Sequence, residues 1–427
     1  MIFVGKVEYL SFNEGISIVV YGWLITCVIG SLPYLMWGGE FTLINSWFES
    51  VSGFTTTGSS ILNDVEKLPK GLLFWRSSTH WIGGLGVIMF VLLILPTSQN
   101  PRLTLINTEM SDISRSTFQY RARKTAYVLA MIYAGLTVME TLLLTLAGMG
   151  LFDAINHSFA TIATGGFSTR NLSIAAYNQL SIEVIIMLFM ILSGINFGIL
   201  FNTVSGKSPN IFNSRIVRAY LFILLAGIVV ATTDLYLEGV YSFSQSLRAA
   251  AFQVISLGTT TGFATQATEV WPSFTQLILI FFTIQCAMVG STSGGLKFDR
   301  IFIFFKSIVK QVKMMKHPNA VITIKVDNIS LDDQRESNVM NFIVLYVITF
   351  FITTLILSVF NTDLITAFSA SIATLGNVGP GFGQVSSLGN YADLPVFSKL
   401  VLTFNMLLGR LEILSIIAFL TIRRKEF

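Results

Sequence analysis

Charge is what this sequence has least of. Of 427 residues only 12% are charged, against 53% hydrophobic, whereas an ordinary soluble domain carries about 25% charged residues. That balance, with a mean hydropathy of +0.70, excludes a soluble globular chain. Cysteine is scarce too. Cys27 and Cys286 both sit inside apolar runs and read as small core residues, not as a disulfide. The three histidines, His80, His157 and His317, are far apart and beside no cysteine pair, which argues against a metal site. No paired carboxylates and no nucleophile–base set stand at workable spacing, so a membrane-embedded enzyme is a poor reading. Near Lys6 there is no short hydrophobic core with a small-residue cleavage site, so no cleavable signal peptide is expected. Gly83-Gly84-Leu85-Gly86 lacks the basic residue and the strand of a phosphate loop and reads as packing glycine. No nucleic-acid partner and no separate soluble domain are expected; the longest polar candidate, 297–338, starts as a basic helix extension.

What the chain does have is long apolar runs. Eight are of spanning length: 16–37, 77–95, 125–147, 182–203, 217–237, 274–289, 340–360 and 397–420. Four shorter ones lie between them at 45–54, 152–162, 243–257 and 364–375. The short segments cannot cross a hydrocarbon core of about 30 Å, so re-entrant helices are the natural reading. The result is an all-α polytopic membrane protein, with the bilayer as its surroundings.

A small-residue stretch follows each short segment. It reads Thr55-Thr56-Thr57-Gly58, then Ala163-Thr164-Gly165-Gly166, Thr259-Thr260-Thr261-Gly262 and Gly376-Asn377-Val378-Gly379. The aligned glycines are 108, 96 and 117 residues apart. Six positions before them stand Ser52, Ala160, Ser256 and Ala373, and twelve before stand Ser46, Ala154, Ala250 and Ala367. Small residues at matching places let short helices approach a common axis. The spacing divides the chain into four helix–pore-helix–helix repeats around a pseudo-fourfold central pore: 13–95, 120–204, 214–312 and 336–422.

Basic residues orient the chain. With the N-terminus inside, the inner segments hold 20 of the 27 lysines and arginines, among them Arg102, Arg115, Arg121, Arg123, Lys124, Arg423, Arg424 and Lys425. The positive-inside rule then puts both termini in the cytoplasm and all four glycine loops on the outer side. Non-helical backbone at membrane depth is tolerated where it lines a protein-walled or watery cavity. Four such loops can form a cation filter, in which carbonyl oxygens replace an ion's hydration shell. Glycine supplies the backbone angles, Thr and Ser add hydroxyl oxygens, and no carboxylate falls within the loops. A single such loop is more often a packing or turn motif; four in register reverse that preference.

Two further features stand inside the membrane. Gly290-Ser291-Thr292-Ser293-Gly294-Gly295 interrupts an apolar run, and reads either as a plain helix end or as a loop obstructing the pore below the filter. Arg410 lies in the last span, where a central arginine costs about 2.5–3.5 kcal/mol on insertion scales. A residue that costly faces a partner or a wet cavity, and the plainer reading is a charge neutralised by Glu412 or a carbonyl purely for packing. Glu49, Glu140 and Glu183 also lie in or beside membrane segments; Glu49, six residues before the first loop, reads as a mouth charge or as a packing and capping group.

Taken together these motifs resemble the Trk/Ktr superfamily of potassium transport subunits, most closely the Trk type. The resemblance is carried by Ser52-Gly53-Phe54 with the first loop, by His157-Ser158-Phe159-Ala160-Thr161 with Gly165-Gly166-Phe167-Ser168-Thr169, and by the third loop with Phe263. It is also carried by 290–295 with Leu296-Lys297, by His317-Pro318-Asn319-Ala320 and by Asn405-Met406-Leu407-Leu408-Gly409-Arg410-Leu411-Glu412. It runs from about residue 13 to the C-terminus. The Trk type ordinarily has two helices before the first repeat, and about a dozen residues precede it here. The second and fourth loops differ from the Thr-rich pair, which departs from strict fourfold coordination. The resemblance implies K⁺ as the transported and filter-bound ion, no covalent cofactor, and 290–295 as a gating loop tethered by Lys297 and latched by Arg410. It also implies a homodimer in the cytoplasmic (inner) membrane of a prokaryote, working with a cytosolic nucleotide-binding regulatory subunit of the TrkA/KtrA type. The alternative is a Na⁺- or H⁺-coupled cation symporter with weak K⁺/Na⁺ selectivity. An alternating midplane site usually needs a titratable acid, and the four loops hold none.

Overall fold

The computed structural model describes residues 12–94, 112–320, 322–327 and 329–422. The inner basic residues Lys6, Arg102, Arg423, Arg424 and Lys425 lie outside them; the side chains of Arg115, Arg121, Arg123 and Lys124 are likewise not described. The first unit is α1 (Phe12–Trp37), α2 (Leu43–Phe54) and α3 (Lys70–Ile94). The second is α4 (Asp112–Leu146), α5 (Leu151–Ile162), α6 (Leu180–Gly194) and α7 (Phe197–Val204). The third is α8 (Arg215–Leu237), α9 (Phe243–Gly258), α10 (Ser273–Gln285) and α11 (Phe298–Lys316). An antiparallel hairpin, β1 (Ile324–Val326) with β2 (Ile329–Leu331), leads into the fourth: α12 (Asp333–Val359), α13 (Leu364–Leu375), α14 (Val396–Leu411) and α15 (Ile413–Ile422). This is an all-α membrane fold of four helix–short helix–helix units.

The opening helices α1, α4, α8 and α12 each contain 21–27 residues apolar enough to cross a membrane, or about 30–40 Å at 1.5 Å per residue. Their outward side chains stay exposed, among them Ile25, Leu142, Leu225 and Leu355, as lipid-facing residues should. The short helices α2, α5 and α13 have 12 residues and α9 has 16. Three of the four starts are fixed by side-chain capping: Thr42 accepts from Asn45 N at 3.3 Å, Asp363 from Thr366 N at 3.0 Å, and Ser242 with Gln245 forms a capping box. All eight aligned small residues are buried, and substituting a larger side chain at any of them would push a short helix off its neighbours.

The closing spans depart from the straight helices expected of 182–203, 274–289 and 397–420. The α6/α7 pair bends by 103° and the α14/α15 pair by 101°, and α10 stops at Gln285, where Cys286 takes φ +57°. The two bends are held by partners elsewhere in the chain. Asn196 caps α7 by accepting from Gly198 N and Ile199 N, while Phe197 N donates to Gly290 O at 3.0 Å. Glu412, at φ +62°, is held by Arg300 at 2.7 Å.

Candidate ion pathway

Each short helix ends the same way. The cap residue (Thr55, Ala163, Thr259 or Gly376) is right-handed, with φ between −75° and −98°. The next is left-handed: Thr56 at 53°, Thr164 at 54°, Thr260 at 63° and Asn377 at 52°. Its N–H, and that of the residue after it, fold back onto the helix. Thr57, Gly165, Thr261 and Val378 donate to Ser52, Ala160, Ser256 and Ala373 at 2.8–2.9 Å. This is a Schellman closure, in which the left-handed place is usually glycine. Here three β-branched threonines occupy it, an arrangement that persists only when its surroundings over-determine it. The helix consumes the loop N–H groups and leaves carbonyls for other partners. The acceptors are the small residues six places before the glycine.

The fourth residue closes a ring. Gly58, Gly166, Gly262 and Gly379 all have positive φ, from 78° to 99°. A β-carbon at Gly58 would lie 2.0 Å from Gly165 O, and at Gly166 2.2 Å from Thr261 O. At Gly262 it would lie 2.1 Å from Val378 O, and at Gly379 2.4 Å from Thr57 O. Every glycine thus packs on the carbonyl of the neighbouring loop, in the order one, two, three, four and back to one. Above the ring an open vestibule of about 220 Å³ is lined by all four glycines and by Ser60, Arg76 and Arg170.

Behind the loops the four units differ. Thr55 and Thr57 clasp hydroxyl to hydroxyl at 2.8 Å, as do Thr259 and Thr261 at 2.9 Å, and Thr55 and Thr259 each tie back to their own helix at 2.7 Å. Ala163 and Gly165 cannot make that clasp. In the fourth loop Asn377 Nδ2 reaches Thr57 Oγ1 and Met406 O, both at 2.9 Å. Thr56 Oγ1, Thr260 Oγ1 and Asn377 Oδ1 are buried with no partner among the described residues.

The segment 290–295 lies on the other side of the ring from the vestibule. Thr292 Oγ1 donates to Ile162 O at 3.0 Å and receives Thr164 Oγ1 at 3.3 Å. Gly294 is so close to Asn377 that a β-carbon would sit 2.1 Å from its Oδ1, and Gly295 likewise abuts Gly376. Ser291 and Ser293 share a hydrogen bond at 3.0 Å. Arg410 donates to Thr292 O at 2.6 Å and to Gly83 O at 2.9 Å, so the fourth unit pins the third unit's segment against the first. Carbonyls, not Glu412, are its partners; Glu412 belongs to Arg300. Lys297 is buried at φ +67°, where the chain leaves the segment for α11.

Sequence reasoning missed the frame around these loops. Glu49 is no mouth charge: it is fully buried, paired with Arg76 at 2.8 Å, and accepts from Ile61 N. Glu183 pairs with Arg248 at 2.7 Å. Glu140 is fully buried on α4, beside Thr161 near the end of the second short helix. Asn196 Nδ2 holds Val289 O at 2.7 Å, and Asp299 Oδ2 accepts from Val289 N at 2.7 Å. His157 binds Asp153 O and Ser168 Oγ. A long-range pair such as Glu49–Arg76 carries one sequence signal, an arginine at the head of an apolar span.

Four re-entrant helices meeting in one ring of loop backbone, within one chain, define a pore-loop membrane protein. The chain belongs to the TrkH family: the family's sequence profile, described as a cation transport protein, matches residues 6–425. It is 36% identical over 416 residues to the Trk system potassium uptake protein TrkH of Escherichia coli strain K12, covering 96% of this chain and 86% of that one. TrkH of Halomonas elongata is 34% identical over 412 residues, with 96% and 85% covered. The crystal structure of the potassium transporter TrkH from Vibrio parahaemolyticus superimposes with a TM-score of 0.87 at 33% identity, covering 97% of this chain and 86% of that one.

Proposed function

We propose that this chain conducts K⁺ across the cytoplasmic membrane through the four loops at 55–58, 163–166, 259–262 and 376–379. The observation that carries the reading is the closed ring of left-handed glycines, each seated on the next loop's carbonyl. Four short helices direct their C-termini there, and the negative end of the helix dipole favours a cation. Buried hydroxyl and amide oxygens without partners are costly, about 1–3 kcal/mol each, and call for an explanation. A dehydrated alkali cation at Thr56, Thr260 and Asn377 would satisfy them. The relatives named potassium uptake proteins support K⁺ as that ion.

In this reading 290–295 is the gate, with Lys297 at its inner end and Arg410 as its latch. The four repeats are 13–95, 120–204, 214–312 and 336–422, with both termini inside and the vestibule outside. The protein works as a homodimer with a cytosolic nucleotide-binding subunit, and has no enzymatic step of its own. An inside-negative potential contributes about 2.3 kcal/mol per charge per 100 mV. At about 1.4 kcal/mol per tenfold, 100 mV sustains roughly fifty-fold accumulation. The test is uptake in a host lacking potassium transport, with Gly58, Gly166, Gly262 and Gly379 replaced singly by Ser. Each variant is expected to lose preference for K⁺ over Na⁺; wild-type preference in all four overturns the assignment.

A further inference from the structure

The second filter loop lacks the hydroxyl clasp of loops one and three, and a side chain from another repeat stands in the gap. Gly165 occupies the position held by Thr57, Thr261 and Val378. Its φ is not positive, so its own backbone does not require glycine. What forbids a side chain is His80 of α3: a β-carbon at Gly165 would lie 2.3 Å from Nδ1, 2.6 Å from Cγ and 2.7 Å from Cε1. The imidazole is fully buried, and neither nitrogen makes a hydrogen bond to the second loop; the Ser52 backbone of the first unit lies beside it. One ring face stacks on Phe167 at 4.1 Å and 13°. Phe167 follows Gly166 directly, so one ring braces both sides of the loop's glycine pair. Arg76, one turn earlier on α3, sits 4.0 Å from the same phenylalanine and is fixed by Glu49. What the imidazole supplies to the second loop is bulk and stacking, where loops one and three have hydroxyls.

We infer that His80 is the positioning residue of the second filter loop: its imidazole replaces, from the first repeat, the Thr–Thr clasp that Ala163 and Gly165 lack, and so sets ion preference. The inference rests on the filter reading above. It explains in one step why the second loop alone has glycine at its third position.

The test is a compensation series read as the K⁺/Na⁺ permeability ratio of the full chain in proteoliposomes. His80→Ala opens space beside Gly165, and Gly165→Thr alone meets the imidazole. The triple variant His80→Ala, Ala163→Thr, Gly165→Thr installs the clasp of loops one and three. Each of the first two variants is expected to lower the ratio about tenfold, and the triple to regain most of it, a coupling normal for residues in contact. His80→Gln, of similar reach, is expected to keep an intermediate ratio. Thermal stability is followed alongside, so that a residue acting only in packing would move the melting temperature and leave the ratio alone. A wild-type ratio in His80→Ala, or losses that simply add in the triple variant, overturns the inference. Gly58→Ser and Gly262→Ser serve as controls: if they too keep the wild-type ratio, it is the filter reading that has failed.

Discussion

Arg410 carries its charge into the membrane for two carbonyls, Thr292 O and Gly83 O. A buried guanidinium there is tolerable because both terminal nitrogens meet fixed carbonyls, while Nε has no partner among the described residues. Arg410→Ala leaves both acceptors without it and releases the pin across three units, so higher resting ion flux is expected at equal expression. Arg410→Lys keeps the charge but not the fork and is expected to leak less than Ala; unchanged flux in both would refute the latch. The Glu49–Arg76 pair works differently, since removing one partner of a buried pair costs about 3–5 kcal/mol. Glu49→Ala is therefore expected to lower the melting temperature in detergent markedly, whereas Glu49→Gln, which still accepts from Ile61 N, should lower it less. Single residues were the least legible part of the sequence. Glu49 admitted two readings until its partner, 27 positions away, was known. His80 could be weighed only as a metal ligand, because its surroundings are built by a loop some 85 positions later.

At the scale of elements, apolar runs and four-times-repeated small residues were enough to place the short helices and their loops. Composition reports that a helix is re-entrant because 12 residues of any kind fall short of the membrane's thickness. It could not report the bends at 195–196 and 412, since the apolar run continues through both and the break is made by Gly290 O and Arg300. These breaks frame the segment 290–295: Asn196 stands within hydrogen-bond reach of Val289 O and fills the space beside Gly290. Asn196→Ala removes two capping bonds and that tether together. Increased resting flux is expected, with about 1 kcal/mol or so lost from the cap; flux equal to wild type would uncouple α7 from the gate.

The molecule as a whole has a direction, and the ring alone does not say which side is out. The vestibule side is the one where the second and first units are laced by Asn171 and Asp64, at 2.8 Å, with Lys67 at its edge. On the opposite side α11 ends in Lys313 and Lys316, and its Lys306 donates to Lys325 O. On the proposed orientation the positive-inside rule makes that side cytoplasmic, and a negative interior would draw cations from the vestibule towards 290–295. The chain is convenient for testing this, because both native thiols, Cys27 and Cys286, are buried and should resist labelling. Lys67, 82% exposed, and Lys316 each become a reporter when changed to cysteine. In intact cells a membrane-impermeant maleimide is expected to label Lys67→Cys at once and Lys316→Cys only after permeabilisation. The reverse pattern would invert the molecule, put the glycine ring at the inner mouth, and leave an inward potential driving cations first against the closed segment and only then into the filter.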